Sequence, residues 1–138
     1  MPIVHFHLPE RLAGREQVEA VAAKATAIYA EVLDSPVERI RVYTHILPDY
    51  CVSVGGKTLN AGAPPAPFFE FFVLKGRSLE QRHRVSAGFT EMLSLTLGCD
   101  ASIIRGVCNE VEPDNWSIAG KPASAVRQGE IASRAGTH

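Results

Sequence analysis

Residues 15–42, REQVEAVAAKATAIYAEVLDSPVERIRV, lie over residues 79–106, LEQRHRVSAGFTEMLSLTLGCDASIIRG, without a gap when the chain is shifted by 64 positions. The register runs on past that block. Glu16/Glu80, Gln17/Gln81, Val21/Val85, Ala23/Ala87, Thr26/Thr90, Leu33/Leu97, Ile40/Ile104, Arg41/Arg105, Ser53/Ser117, Gly56/Gly120 and Lys57/Lys121 are identical pairs. Typical residue usage would give about one identity in sixteen to twenty, and the overlay is roughly three times richer. The chain therefore reads as two related halves.

Each half carries the same order of elements. Ile3 to Leu8 alternates, with Ile3, His5 and His7 on one face and Val4, Phe6 and Leu8 on the other, whereas PFFEFFVL (67–74) is apolar on nearly both faces, as a central strand is. Val18, Val21, Ala22, Ala25, Ile28, Tyr29 and Val32 fall at helical spacing, matched by Val85, Phe89, Met92, Leu93 and Thr96. Ser78 and Gln81 have the spacing of a capping box, Gly98 follows the last apolar positions of the second helix, and Asp34-Ser35-Pro36 stops the first. RIRVYTHIL (39–47) and SIIRGVCN (102–109) alternate again, each followed by a segment fit for a hairpin, CVSVGG (51–56) or WSIAG (116–120).

Strand, helix and strand, twice over, predict an α+β fold: two tandem βαβ units with right-handed crossovers, sharing a four-stranded sheet with two helices on one face. The expected domain is 1–122, with repeats 2–58 and 66–122 and a Pro-rich linker over 59–65. The tail, 123–138, is small and polar, with a short helical turn expected around Ile131. The sheet face away from the helices, with apolar residues such as Ile40 or Val42, is expected to be buried by another subunit.

Fourteen basic against fifteen acidic residues among 138 leave a net charge of −1, and no run of Lys or Arg offers a footprint for nucleic acid. No apolar stretch reaches the roughly 18 residues that span a bilayer, and the start lacks the pattern of a secretory leader, so no membrane partner and a cytoplasmic location are expected. Cys51, Cys99 and Cys108 are odd in number and not spaced as metal ligands, which points to buried reduced thiols. His5 and His7, two apart on one strand face with no third ligand at useful spacing, are expected to be hydrogen-bonded sheet histidines; no metal is expected.

The sequence opens MPIVHFHL. Removal of Met1 would leave Pro2 with a free secondary amine, able to accept a proton, donate one or attack a carbonyl. An ordinary α-amino group titrates near 7.7–8.0, and lowering it by about two units corresponds to roughly 2.7 kcal/mol, which an apolar pocket with one or two arginines can supply.

Pro2 at the head of a strand in a duplicated βαβ chain, with REQ opening a helix, then SPVERIRV and VSVGG, resembles the tautomerase superfamily, in the manner of 4-oxalocrotonate tautomerase; the second half is similar to a fused second copy. GRSLEQR (76–82) resembles a segment of 5-carboxymethyl-2-hydroxymuconate isomerase, and LKGRSLEQR with NEVEPDNWSIAGK resembles malonate semialdehyde decarboxylase. The resemblance covers about residues 2–122 and implies a homotrimer of two-unit chains with sites between units and a catalytic Pro2. It also implies the substrate-binding residues. Arg77 matches one arginine of the decarboxylase-like motif, while Lys75 stands where another would be. Arg41 matches a substrate-binding arginine of the short tautomerases, with Arg105 its counterpart in the second half. Arg11 lies one residue out of register with another. The aromatic wall of the short enzymes falls on Val52 and, in the second half, on Trp116. Asn109 stands where a pocket asparagine is found in tautomerases of the migration-inhibitory-factor type. Glu110 and Glu38 match acidic positions of the decarboxylase.

The activity these residues imply is a cofactor-independent keto–enol tautomerization of a small 2-oxo or 2-hydroxy-unsaturated carboxylic acid, with Pro2 as general base and acid and arginines on the substrate's carboxylate. The alternative uses protonated Pro2 and a water-activating carboxylate for hydration, dehalogenation or decarboxylation. For halide chemistry, the helper histidine and tyrosine of the dehalogenase type fall here on Tyr29 and Val107. A third alternative is a non-enzymatic trimeric binding scaffold.

Overall fold

The computed structural model describes residues 2–137. Its first half runs β1 (Ile3–Pro9), α1 (Arg15–Leu33), β2 (Arg41–Leu47) and a short hairpin of β3 (Ser53–Val54) and β4 (Lys57–Thr58). The second repeats this as β5 (Phe68–Leu74), α2 (Leu79–Leu97), β6 (Arg105–Val111) and the hairpin β7 (Ser117–Ile118) with β8 (Lys121–Pro122); α3 (Ala123–Val126) and α4 (Gln128–Thr137) follow. The sheet order is β2-β1-β5-β6, with β1 parallel to β2, β5 parallel to β6, and β1 antiparallel to β5. Two βαβ units thus share one four-stranded sheet with α1 and α2 on one face.

Alternation decides the layers. Val4, Phe6 and Leu8 of β1 and Phe69, Phe71 and Val73 of β5 point into the helix layer and are buried. They meet Val21, Ala25, Tyr29 and Leu33 of α1 and Val85, Phe89, Met92, Leu93 and Leu97 of α2. Phe89 stands edge-on to Phe6, Phe69, Phe71 and Tyr29 at ring separations of 5.1–5.6 Å, and each large side chain so buried contributes roughly 1.5–3 kcal/mol. Gly106 lets the Phe69 ring lie against the β6 backbone, where a Cβ would fall about 2.1 Å from the ring. Ser78 and Gln81 form the capping box that starts α2; Asp34 and Gly98 end the two helices in the left-handed region, at φ 50° and 67°.

The antiparallel join in the middle gives the sheet two chemically comparable ends. At one, Pro2 leads into β1 and its carbonyl accepts a 3.0 Å bond from the Arg41 N–H; at the other, Pro67 leads into β5 and accepts a 3.2 Å bond from the Arg105 N–H. Both prolines are buried. The strands are related by 65 positions rather than 64, because the β1–α1 connection is one residue longer than the β5–α2 connection. Pro67 is therefore the structural counterpart of Pro2.

Three expectations need correction. Ile40 and Val42 pack against the helix-side core, since Val42 pairs with the buried Val4; the open face carries Ile3, His5, His7, Tyr43, His45, Glu70 and Phe72 instead. Cys51 is exposed, and Cys99 and Cys108 are half-buried free thiols. The tail forms two helices rather than one turn. On the open face His5 Nδ1 lies 2.8 Å from His45 Nε2, and His7 Nε2 lies 2.9 Å from Glu70.

Candidate active site

A cleft of about 280 Å³ opens beside the start of β1. The first half supplies Ile3, Glu38, Arg39 and Arg41; the second-half hairpin supplies Trp116 through Ala119; Arg127 comes from the C-terminal segment. Sheet topology explains the assembly. β2 begins next to the start of β1, and the 3-10 turn Val37–Arg39 in front of it puts Arg39 and Arg41 on the same wall. β6 ends at this end of the sheet, because it runs parallel to β5, so the β7–β8 hairpin folds back over Ile3. Trp116 packs on Phe72, with ring centroids 6.4 Å apart, and its carbonyl is anchored by the Ala123 N–H at 2.8 Å. Ala119 makes the hairpin turn at φ 51°, where the first hairpin has Gly55 at φ 61°.

The cleft is rich in guanidinium groups. Arg39 Nη1 donates to both oxygens of Glu130 on α4, at 3.0 Å each. Burial opposes ionisation of Glu130, but the Arg39 hydrogen bonds and charge, joined by Arg127 and Arg134, outweigh it and hold the carboxyl below its ordinary value. Burial, with the cations of Arg39 and Arg127 beside it, lowers Arg134 against the pull of Glu130. The Arg127 Nε is buried and has no hydrogen-bond partner among the described residues.

The residues singled out from sequence divide into three groups. Arg41 and Trp116 line the cleft, and Pro2, itself buried, directly precedes the wall residue Ile3. The expected loss of Met1 concerns a residue outside the described ones. Arg77 and Lys75 lie at the same end but are engaged elsewhere. Arg77 donates to the Leu33 carbonyl at 2.6 Å, closing the C-terminus of α1, and burial and the nearby Arg134 bring its pKa down to about 10, so it stays charged at neutral pH. Lys75 pairs with Glu112 at 2.6 Å on the surface. Asn109 shares a lateral row with Arg41, Ile3 and Phe72 but sits two strands from β1, about 10 Å away. Arg105 is at the Pro67 end, level with His7 and so about 13 Å along the strands from the Ile3–Arg41 row, where its Nη1 donates to the Ser102 and Ile104 carbonyls. Arg11, also at that end, pairs with Asp49; Glu110 of β6 pairs with Arg82 of α2; Tyr29 is buried in the core, and Val107 is exposed on the open face.

Arg39 and Arg127 are cleft residues that the sequence reading passed over. A signal was present for the second: Arg127, Glu130 and Arg134 recur at i, i+3 and i+7, the spacing of one helical face.

The doubled βαβ sheet, with an arginine- and tryptophan-lined cleft beside the start of β1, defines the class of fold to which the chain belongs. The tautomerase enzyme family model matches residues 2–62 and again 67–125. The chain belongs to the tautomerase family. It is 36% identical over 63 residues to "Probable tautomerase K2" of Dickeya dadantii (strain 3937), covering 45% of this chain and 94% of that relative. It is 35% identical over 57 residues to the 2-hydroxymuconate tautomerase of Comamonas testosteroni, covering 41% and 90%. Among solved structures, the wild-type asymmetric trimer of F6 fused 4-OT superposes with a TM-score of 0.81 at 20% identity, covering 90% of this chain and 98% of that one, a likeness of fold. No helix among the described residues is long and apolar enough to cross a membrane.

Proposed function

We propose that this protein is a cofactor-independent tautomerase that interconverts keto and enol forms of a small 2-oxo or 2-hydroxy-unsaturated carboxylic acid, working as a homotrimer. The observation that carries the reading is the cleft beside Pro2 that joins Arg39 and Arg41 to the Trp116 wall. With Met1 removed, the Pro2 amine takes a proton from the enol hydroxyl or the acidic carbon and returns the same proton to the carbon or oxygen at the other end of the conjugated system. One base serves both transfers, so the stoichiometry calls for no redox partner. Arg41 and Arg39 hold the substrate's carboxylate and the charge that develops on its enolate oxygen, for which a planar guanidinium is suited. Cations on the wall and apolar surface from Ile3 and Trp116 disfavour the protonated amine, which keeps it available as a base near neutral pH. Trimers among fused relatives of the same fold support the assembly state.

Turnover of 2-hydroxydienoates and arylpyruvates by the wild type and by Pro2→Ala tests the catalytic assignment. A large loss in the variant is expected; equal activity overturns it. Glu38 on the cleft wall favours one alternative, in which protonated Pro2 acts as an acid while the carboxylate activates water to hydrate an unsaturated acid. The two readings need opposite protonation states of one nitrogen.

A further inference from the structure

The family model ends at residue 125, yet the cleft does not. Arg127 lines it, and the helix that follows carries Glu130 to the Nη1 of Arg39, itself a wall residue. A carboxylate is thus already resting on one of the guanidinium groups available to a ligand's carboxylate, and it belongs to the protein. Both of its oxygens lie 3.0 Å from the one Nη1, a charge-assisted contact that a ligand's carboxylate could make in its place. Arg127 lines the same cleft and its charge acts on Glu130 together with that of Arg39, while its own Nε is shielded from solvent and has no hydrogen-bond partner among the described residues.

We propose that the C-terminal segment forms a second anion seat between Arg39 and Arg127, and that Glu130 occupies it as an internal competitor which an acidic ligand displaces. This rests on the small-acid reading of the cleft and adds residues to it that lie outside the family match. Glu130 is suited to leave. Its side chain is 43% exposed and its pair with Arg39 is a surface contact, of the kind that contributes little net energy. Departure costs the cluster no uncompensated charge, because the incoming carboxylate replaces the outgoing one among Arg39, Arg127 and Arg134. The seat also sets a preference. Uncharged carbonyl compounds cannot replace the carboxylate, so the segment selects for anionic ligands over neutral ones of the same shape.

The sign of one substitution separates this role from a structural one. If Glu130 merely anchored α4, Glu130→Gln would loosen the wall and weaken binding. As a competitor, its removal strengthens it. The full-length protein is titrated calorimetrically with trans-cinnamate, a flat unsaturated monocarboxylate that does not turn over, and with the neutral trans-cinnamamide. Glu130→Gln is expected to bind cinnamate about 1.4- to fivefold more tightly, the range an exposed ion pair of about 0.2–1 kcal/mol allows. Arg127→Gln is expected to bind it about tenfold more weakly, as loss of a charged hydrogen bond implies, with Arg127→Lys in between. Cinnamamide should be indifferent to both changes. Circular dichroism melting confirms that each variant is folded, and the lysine variant keeps the test intact should Arg127→Gln unfold. Weaker or unchanged cinnamate binding in Glu130→Gln, or unchanged binding in both Arg127 variants, overturns the proposal. If Arg41→Gln alone abolishes cinnamate binding while positions 127 and 130 are silent, the cleft reading stands and the second seat does not; if Arg41→Gln is silent as well, both fail.

Discussion

The two ends of the sheet began as copies and now differ in nearly every group that could do chemistry. At one end Pro2 heads β1; at the other Pro67 heads β5, equally buried and bonded through its carbonyl to the same arginine of the following strand. The Pro67 nitrogen is an amide with its lone pair delocalised, because the chain continues through it. Around it the walls have changed to match. Arg39 corresponds to Ile103, Glu38 to Ser102, Trp116 to Val52 and Arg127 to Ala63, leaving Arg41 and Arg105 as the retained charged pair. Even the lateral rows diverge: Arg41 lies level with Ile3, Phe72 and Asn109, whereas Arg105 lies level with Phe68, His7 and His45. The backbone hydrogen bonds preserve the fold at both ends; the cluster of Arg39, Arg41 and Arg127 gathers at the Pro2 end alone.

The largest effect that would break this comparison concerns the prolines. Pro2→Ala is expected to lower kcat by at least about 100-fold, within the range ascribed to a positioned general base, while Pro67→Ala leaves kcat within about twofold. Steady-state assays on a 2-hydroxydienoate read both, and similar losses in the two variants would erase the distinction. Next come the retained arginines. Arg41→Gln should raise KM by about tenfold or more through loss of a charged hydrogen bond to carboxylate, and Arg105→Gln should leave it nearly unchanged.

A smaller effect is expected in the hairpins. The first turns on Gly55 and Gly56, the second on Ala119 and Gly120, so Ala119 bears a left-handed conformation that costs about 1 kcal/mol. Ala119→Gly should raise unfolding stability by about 0.5–1 kcal/mol in a urea titration, whereas Gly55→Ala should lower it by a similar amount.

The smallest concerns the histidine row near Pro67. Burial, then the proximity of His7 and His5, lowers the pKa of His45 from its ordinary 6.5. The folded state therefore holds fewer protons at this site than the unfolded chain, and its stability is undiminished above that value and falls as the pH drops below it. Melting between about pH 7.5 and pH 5.5 should show a smaller decline in His45→Gln than in the wild type.

Much of the architecture could be read from hydrophobic period alone. The interior strand of each half is decided by Val4, Phe6 and Leu8 or by Phe69, Phe71 and Val73, and the helices by apolar residues three and four apart, so nothing distant had to be known. Val42 was harder. β2 is an edge strand whose two faces are comparably mixed, and only its register against Val4 says which way it points. The tail escaped because Ala, Ser and Gly carry little period, although its charges did repeat on a helical face. The cleft was legible only in pieces. Pro2, Arg41 and Trp116 could be named one at a time, but the cleft beside Ile3 depends on a hairpin from one half folding over the strand of the other, and Arg39 and Arg127 acquire a place in it only from that fold.

The account turns on how readily the first nitrogen gives up its proton, and selective nitrogen-15 labelling of proline followed by an NMR titration of the Pro2 resonance measures it directly. A free amine titrating clearly below the ordinary 7.7–8.0 is the predicted result. A value within or above that range, or a nitrogen that is acylated or peptide-bonded and does not titrate, would contradict it.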